Sequence, residues 1–264
     1  MSFRSVISLL SLLLGVLGVA MPAGAADPAR VSILLYHRFG PTVPGPTTVR
    51  TSVFAEQLAW LAAHHVPVVP LHALVDGLKR GELPQKGPAV ALTADDGHRS
   101  VYTDMFPLIR RYRVPVTLFI YPSAISHADY ALTWQQLAEM AASGLVDVQS
   151  HTYWHPDFRI EARRLSPAAY EAFVRRQLAL SKERLETRLG IKVDLLAWPF
   201  GVYDAFLERL AAEAGYVAAF SIEQRPVSVR DNLFALPRYI VSDAVSGSRF
   251  AALVMGPALG DPPP

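Results

Sequence analysis

Two adjacent carboxylates, Asp95 and Asp96, precede Gly97 directly after an apolar run. Neighbouring negative charges repel unless a cation or a proton comes between them. A solvated Asp-Asp-Gly turn is the plain alternative. Farther along, His151 and His155 stand four positions apart, again just past an apolar run. Two imidazoles at that spacing can close on one ion from one side. With one carboxylate oxygen they make a three-ligand set with open positions, the pattern of a hydrolytic metal centre. Taken singly, each His could equally be a surface or core residue. The chain has no Cys, so any resident metal must be held by His, Asp or Glu. The same absence excludes a disulfide scaffold, a thiolate metal site and a cysteine nucleophile.

Short apolar runs alternate with segments of helical spacing, and these must position the candidates. Strands are expected at 31–36, 66–71, 89–93, 116–121, 145–149, 193–197 and 216–221, with 234–241 a candidate last strand. Helices are expected at 53–64, 74–80, 101–111, 133–142, 166–189 and 203–214. Thr133 and Gln136 have capping-box spacing, Pro167 occupies the tolerated first helical position, and Gly190 and Gly215 act as stops. Strand-helix alternation argues for parallel β-α units. The fold class is therefore α/β, a distorted (β/α) barrel of about seven to eight parallel strands. Reacting groups in such barrels sit on loops after the strands' C-terminal ends. Those loops carry Tyr36-His37, Thr93-Ala94-Asp95-Asp96-Gly97, Ser150-His151-Thr152-Tyr153-Trp154-His155, Trp198-Pro199-Phe200-Gly201 and Leu236-Pro237-Arg238-Tyr239.

The 264 residues are 51% hydrophobic, too apolar for a disordered chain, and 25 Lys+Arg against 23 Asp+Glu leave a net charge of only +2. Neither nucleic acid nor a polybasic membrane contact is indicated. Arg4, the apolar stretch 6–20 and Ala23-Gly24-Ala25 read as a signal peptide over residues 1–26, an uncleaved anchor being the alternative. At about fifteen residues the run is short for a membrane span. The expected layout is a signal peptide at 1–26, one catalytic domain at 27–256 and a disordered Pro-rich tail at 257–264. The expected location is periplasmic or secreted, with no stable membrane span after cleavage.

Thr93-Ala94-Asp95-Asp96-Gly97 and Ser150-His151-Thr152-Tyr153-Trp154-His155 resemble the first two motifs of the polysaccharide deacetylases, the NodB-like carbohydrate esterase family 4. Trp198-Pro199-Phe200-Gly201 is similar to the core of the third. The resemblance implies Asp95 as general base. It implies Asp96, His151 and His155 as ligands of a divalent metal, zinc before cobalt or nickel. It also implies that the Phe200 backbone N–H stabilises the oxyanion. Aromatic residues at the same ends suit the apolar faces of sugar rings, with Trp198 and Tyr153 the favoured substrate wall and barrel-mouth packing the alternative.

The chain departs from the usual family pattern. Ala94 stands where an aromatic residue is usual, and Ala197 where an Arg usually braces the catalytic Asp. No His follows His155, so the family's C-terminal general acid is missing. Leu34-Leu35-Tyr36-His37 reads like that motif moved to the N-terminus, as in deacetylases of poly-β-1,6-N-acetylglucosamine. That resemblance makes His37 the general acid, a structural strand-end His being the alternative. Arg238 is the candidate brace, against an ordinary surface Arg. The implied activity is metal-dependent removal of N-acetyl groups from an acetylated, N-acetylglucosamine-containing polysaccharide. The alternatives are an O-acetyl esterase acting on xylan, a peptidoglycan or chitin deacetylase, and a polysaccharide-binding or export protein with a residual site.

Overall fold

The computed structural model describes residues 29–256, so the expected signal peptide and tail lie outside the described residues. In chain order the elements are β1 (Arg30–Tyr36), β2 (Arg38–Gly40), β3 (Thr48–Arg50), α1 (Thr51–Ala63), α2 (Leu71–Lys79) and β4 (Pro88–Asp95). A π-helical turn (Val101–Met105) leads into α3 (Phe106–Tyr112), followed by β5 (Val116–Ile120), α4 (Trp134–Ala142), β6 (Val146–Ser150), α5 (Phe158–Arg164) and α6 (Pro167–Leu189). Then come β7 (Leu195–Ala197), α7 (Ala205–Glu213), β8 (Ala218–Phe220), β9 (Tyr239–Ile240) and α8 (Gly247–Met255).

Seven strands form one parallel sheet in the order β8-β7-β6-β5-β4-β1-β9. The sheet curls into a distorted (β/α) barrel. Its two edges are joined through the segment 233–241. Leu236 and Ser221 N–H groups bond to Ala219 and Leu236 carbonyls at one end, and Val241 N–H bonds to Leu35 O at the other.

Alternation along each strand sorts the side chains. Val31, Ile33, Ala89, Ala91, Phe119, Leu195, Ala197, Ala218 and Phe220 form the inner cluster. Leu34, Val90, Leu92, Leu118, Ile120, Val148 and Leu196 pack outward against the helices. The alanines keep the interior narrow enough for side chains to fill it. Each fully buried Leu, Val or Phe contributes about 1.5–3 kcal/mol. Leu71, Leu74, Val75 and Leu78 of α2 join the inner cluster, so α2 covers the N-terminal end of the barrel. His72 on α2 lies 3.1 Å from Asp147 and 2.8 Å from Asp194 at that end.

Local signals behave as their chemistry requires. Thr133 and Gln136 make the capping box of α4, Ser166 caps α6, and Gly190 ends it at φ 66°. The expected strand at 66–71 is not formed. Val68 makes one bridge to Val90 and Leu71 already opens α2. Pro67 and Pro70 lack the N–H donors a strand ladder needs. The candidate strand 234–241 shrinks to β9 plus a bridge from Leu236 to Phe220, interrupted at Pro237. The strands β2 and β3 and the helices α5 and α8 are additions to the expected elements.

Candidate active site

Asp95 is the last residue of β4, and alternation turns it, like Thr93, toward the barrel interior, where it is 2% exposed. A lone carboxylate there would be costly. Arg238 supplies the partner, with both N···O contacts at 2.8 Å. The guanidinium is itself buried, donates Nε–H to Ser221 O at 3.0 Å and lies over the Phe119 ring. Burial works to raise the Asp95 carboxyl. The charges of Arg238 and then His151 outweigh it and hold the group below the usual carboxylate value.

The chain turns sharply after β4. Asp96 and Gly97 both have φ 72°, a region that Asp tolerates and Gly favours. A Cβ on Gly97 would come within 2.9 Å of Ile120 Cδ1, so this position needs glycine for space as well. The turn holds Asp96 at the mouth of the barrel. Burial, with Asp95's charge adding, pushes its carboxyl up against the opposing charge of His37.

His151 follows β6 and is 2% exposed. Its Nδ1–H donates to the Ala197 carbonyl at 2.8 Å, which leaves the Nε2 lone pair facing the carboxylates. Thr152 and His155 adopt φ 63° and 64°, folding the loop back on itself. The Thr152 hydroxyl accepts the His155 N–H, and Gln177 Oε1 accepts the Trp154 N–H. His151 Nε2 and His155 Nε2 each lie 3.7 Å from Asp96 Oδ1. One ligand atom from each of Asp96, His151 and His155 falls within 4.8 Å of the others. Burial drives the His151 pKa down to about 3 and lowers that of His155, so both rings are neutral. Two neutral imidazoles and a carboxylate, one His braced by a backbone carbonyl, fit a divalent metal such as zinc.

His37 follows β1, half-buried, with a buried Nδ1 that has no hydrogen-bond partner. The β1–β4 register pairs Tyr36 with Ala94, so His37 leaves its strand at the same level as Asp95 on the neighbouring one. Phe200 adopts φ 56° in the turn after β7. The turn's hydrogen bonds run from Gly201 and Val202 N–H to Trp198 and Pro199, leaving the Phe200 N–H out. Its ring meets His155 edge-on at 4.6 Å.

The expected substrate wall needs correction. Trp198 is fully buried, donates Nε1–H to Phe234 O at 2.9 Å and packs on Phe158. Burying that large ring in the core leaves no face for a sugar. Tyr153 lines a 180 Å³ groove with Leu180, Glu183, Arg184, Thr187 and Arg188 on α6, a groove that Asp96, His151 and His155 do not line. A residue outside the sequence motifs borders the two imidazoles instead. The Tyr121 ring lies 5.4 Å from His155 and 6.5 Å from His151. It directly follows β5.

The polysaccharide deacetylase family model matches residues 82–219, more than half of the chain and all three motifs. The chain belongs to the polysaccharide deacetylase family. The chain is similar to the Escherichia coli K12 protein named poly-beta-1,6-N-acetyl-D-glucosamine N-deacetylase, at 26% identity over 243 residues. The match covers 79% of this chain and 36% of that protein, so the chain spans about a third of the relative's length. The structure of IcaB from Ammonifex degensii is similar, with a TM-score of 0.72 and 25% identity, covering 87% of this chain and 99% of that one. Streptococcus pyogenes deacetylase PplD, solved with acetate, shares the fold at a TM-score of 0.76 and 22% identity, covering 87% and 100%.

Proposed function

We propose that this polysaccharide deacetylase is an exported, divalent-metal-dependent hydrolase that removes N-acetyl groups from a poly-β-1,6-N-acetylglucosamine-like polymer. The observation that carries the reading is the Asp96–His151–His155 set standing against the Arg238-clamped Asp95, with His37 at the adjoining strand end. The name of the E. coli relative supports the substrate class. Asp96, His151 and His155 would hold the metal, zinc before cobalt or nickel. A bound ion would supply Lewis-acid polarisation of the acetyl carbonyl and a more acidic water near neutral pH.

Asp95 accepts the proton from the attacking water. Arg238 occupies one lone pair on each Asp95 oxygen and keeps the group ionised, leaving capacity for that proton. The Phe200 N–H donates toward the charge that develops on the carbonyl oxygen. His37 gives a proton to the departing amine nitrogen. That step matters more for an amide than for an ester, because an amine leaves poorly without it. Export rests on the signal-like residues 1–26, and no described helix is long and apolar enough to cross a membrane. Acetate release across poly-β-1,6-N-acetylglucosamine, chitin oligomers and acetylxylan tests the assignment. Release confined to acetylxylan would replace the amide reading with an esterase one.

A further inference from the structure

One wall of the mouth is assembled from the loops that follow β4 and β5. Beyond Tyr121, whose ring borders both imidazoles, the Tyr121 and Tyr130 hydroxyls meet at 2.6 Å. Tyr130 is 40% exposed, and one face of its ring stacks on His98, with planes 10° apart and centroids 6.2 Å apart. Backbone bonds staple the two loops together. Arg99 N–H donates to Tyr130 O at 2.7 Å, and Leu132 N–H to Gly97 O at 2.9 Å. His98 and Ala131 add an antiparallel bridge.

His98 is oriented in turn. Ser100 Oγ accepts the Phe39 N–H at 2.8 Å and lies 2.8 Å from His98 Nδ1. The Ser100 N–H also points at Nδ1, at 3.2 Å. Nδ1 therefore accepts, and His98 carries its proton on Nε2. The Tyr130 ring is thus backed by an imidazole, tied at its hydroxyl and anchored through its own carbonyl. A ring held this way loses little freedom when a ligand lands on it. A flat, part-exposed aromatic face with polar groups at its edge matches a pyranose, which has an apolar face and a polar rim.

We propose that Tyr130 is a specificity-determining residue that stacks on the sugar unit next to the one whose acetyl group is removed. The inference rests on the polysaccharide reading of the site. It makes binding depend on chain length, because a single sugar held at Asp95 and Asp96 cannot also cover Tyr130.

The test is binding by titration calorimetry to the metal-loaded Asp95→Asn protein, with a β-1,6-linked N-acetylglucosamine pentamer and the monosaccharide as probes. Tyr130→Ala is expected to weaken pentamer affinity about tenfold and to lower the pentamer-to-monosaccharide affinity ratio by a similar factor. Tyr130→Phe, which keeps the ring, should stay within about threefold. If Tyr130→Ala does not fold, Tyr130→Leu keeps apolar bulk without a flat face, and the same drop is expected. An unchanged ratio in a folded Ala or Leu variant overturns the inference, as does an equal loss in Tyr130→Phe. Acetate release by the wild-type protein is measured alongside. Its absence overturns the proposed function, while the binding ratio still decides the role of Tyr130.

Discussion

The Arg238 guanidinium meets the Asp95 carboxylate through two 2.8 Å contacts, although 143 positions separate the residues in the chain. The segment that closes the barrel carries Arg238, so barrel closure and ionisation of Asp95 depend on the same stretch. Ala197, where the usual family brace would stand, is left with a small side chain in the inner cluster.

Replacing Arg238 by Met should therefore act twice. Breaking a buried pair by removing one partner costs about 3–5 kcal/mol, or about 10 °C in melting temperature for a protein this size. Asp95 is held low in the native protein, so its contribution to stability is present above the ordinary Asp value and lost as pH falls through the lowered one. Without Arg238, burial wins and the Asp95 pKa rises. The acid limb of the pH–rate profile should move to higher pH. An unmoved limb with an unchanged melting curve would remove Arg238 from its role.

Asp96→Asn and His155→Ala should each lose bound metal, measured by elemental analysis of purified protein. The wild type should carry about one ion per chain, given three donors from one site. Wild-type protein that takes up neither zinc nor cobalt would exclude the ligand assignment.

His37→Ala should lower kcat by about 10²–10⁴, the usual range for losing a general acid. Its metal content should stay at the wild-type level. Full activity with full metal content would assign the proton to another group.

Much of this arrangement can be read from residue order, for particular reasons. Asp95, Asp96, His151 and His155 lie directly after apolar runs, and the parallel barrel places all such ends at one mouth. The capping box at Thr133 and the stop at Gly190 are local chemistry, so tertiary packing does not overturn them. An aromatic residue beside a motif can face either way, and Trp198 fills the core. Tyr121 and Tyr130 carry no motif. Their place at the site comes from backbone bonds between two loops, which single-sequence periodicity does not register. Residues 66–71 are apolar enough for a strand, but two prolines remove the donors it needs.

At the opposite end of the barrel, His72 ties α2 to the starts of β6 and β7 through Asp147 and Asp194. Its hydrogen bond to Asp147 outweighs burial, and with Asp194 it raises the His72 pKa to about 9. A raised His stabilises the fold fully below its ordinary value of about 6.5 and loses that contribution as pH climbs through about 9. His72→Gln should therefore lower the melting temperature more at pH 6 than at pH 10 (both about, by that window). Equal losses at both values would mean that the charge plays no part.

The most direct test of the central claim is acetate release from poly-β-1,6-N-acetylglucosamine by the purified wild-type protein. It should be followed before chelation, after chelation, and after zinc or cobalt is returned, with Asp95→Asn as control. Release that stops on chelation, returns with metal and is absent in Asp95→Asn is the predicted result. Release that survives complete removal of metal, or that Asp95→Asn sustains at the wild-type rate, would contradict it.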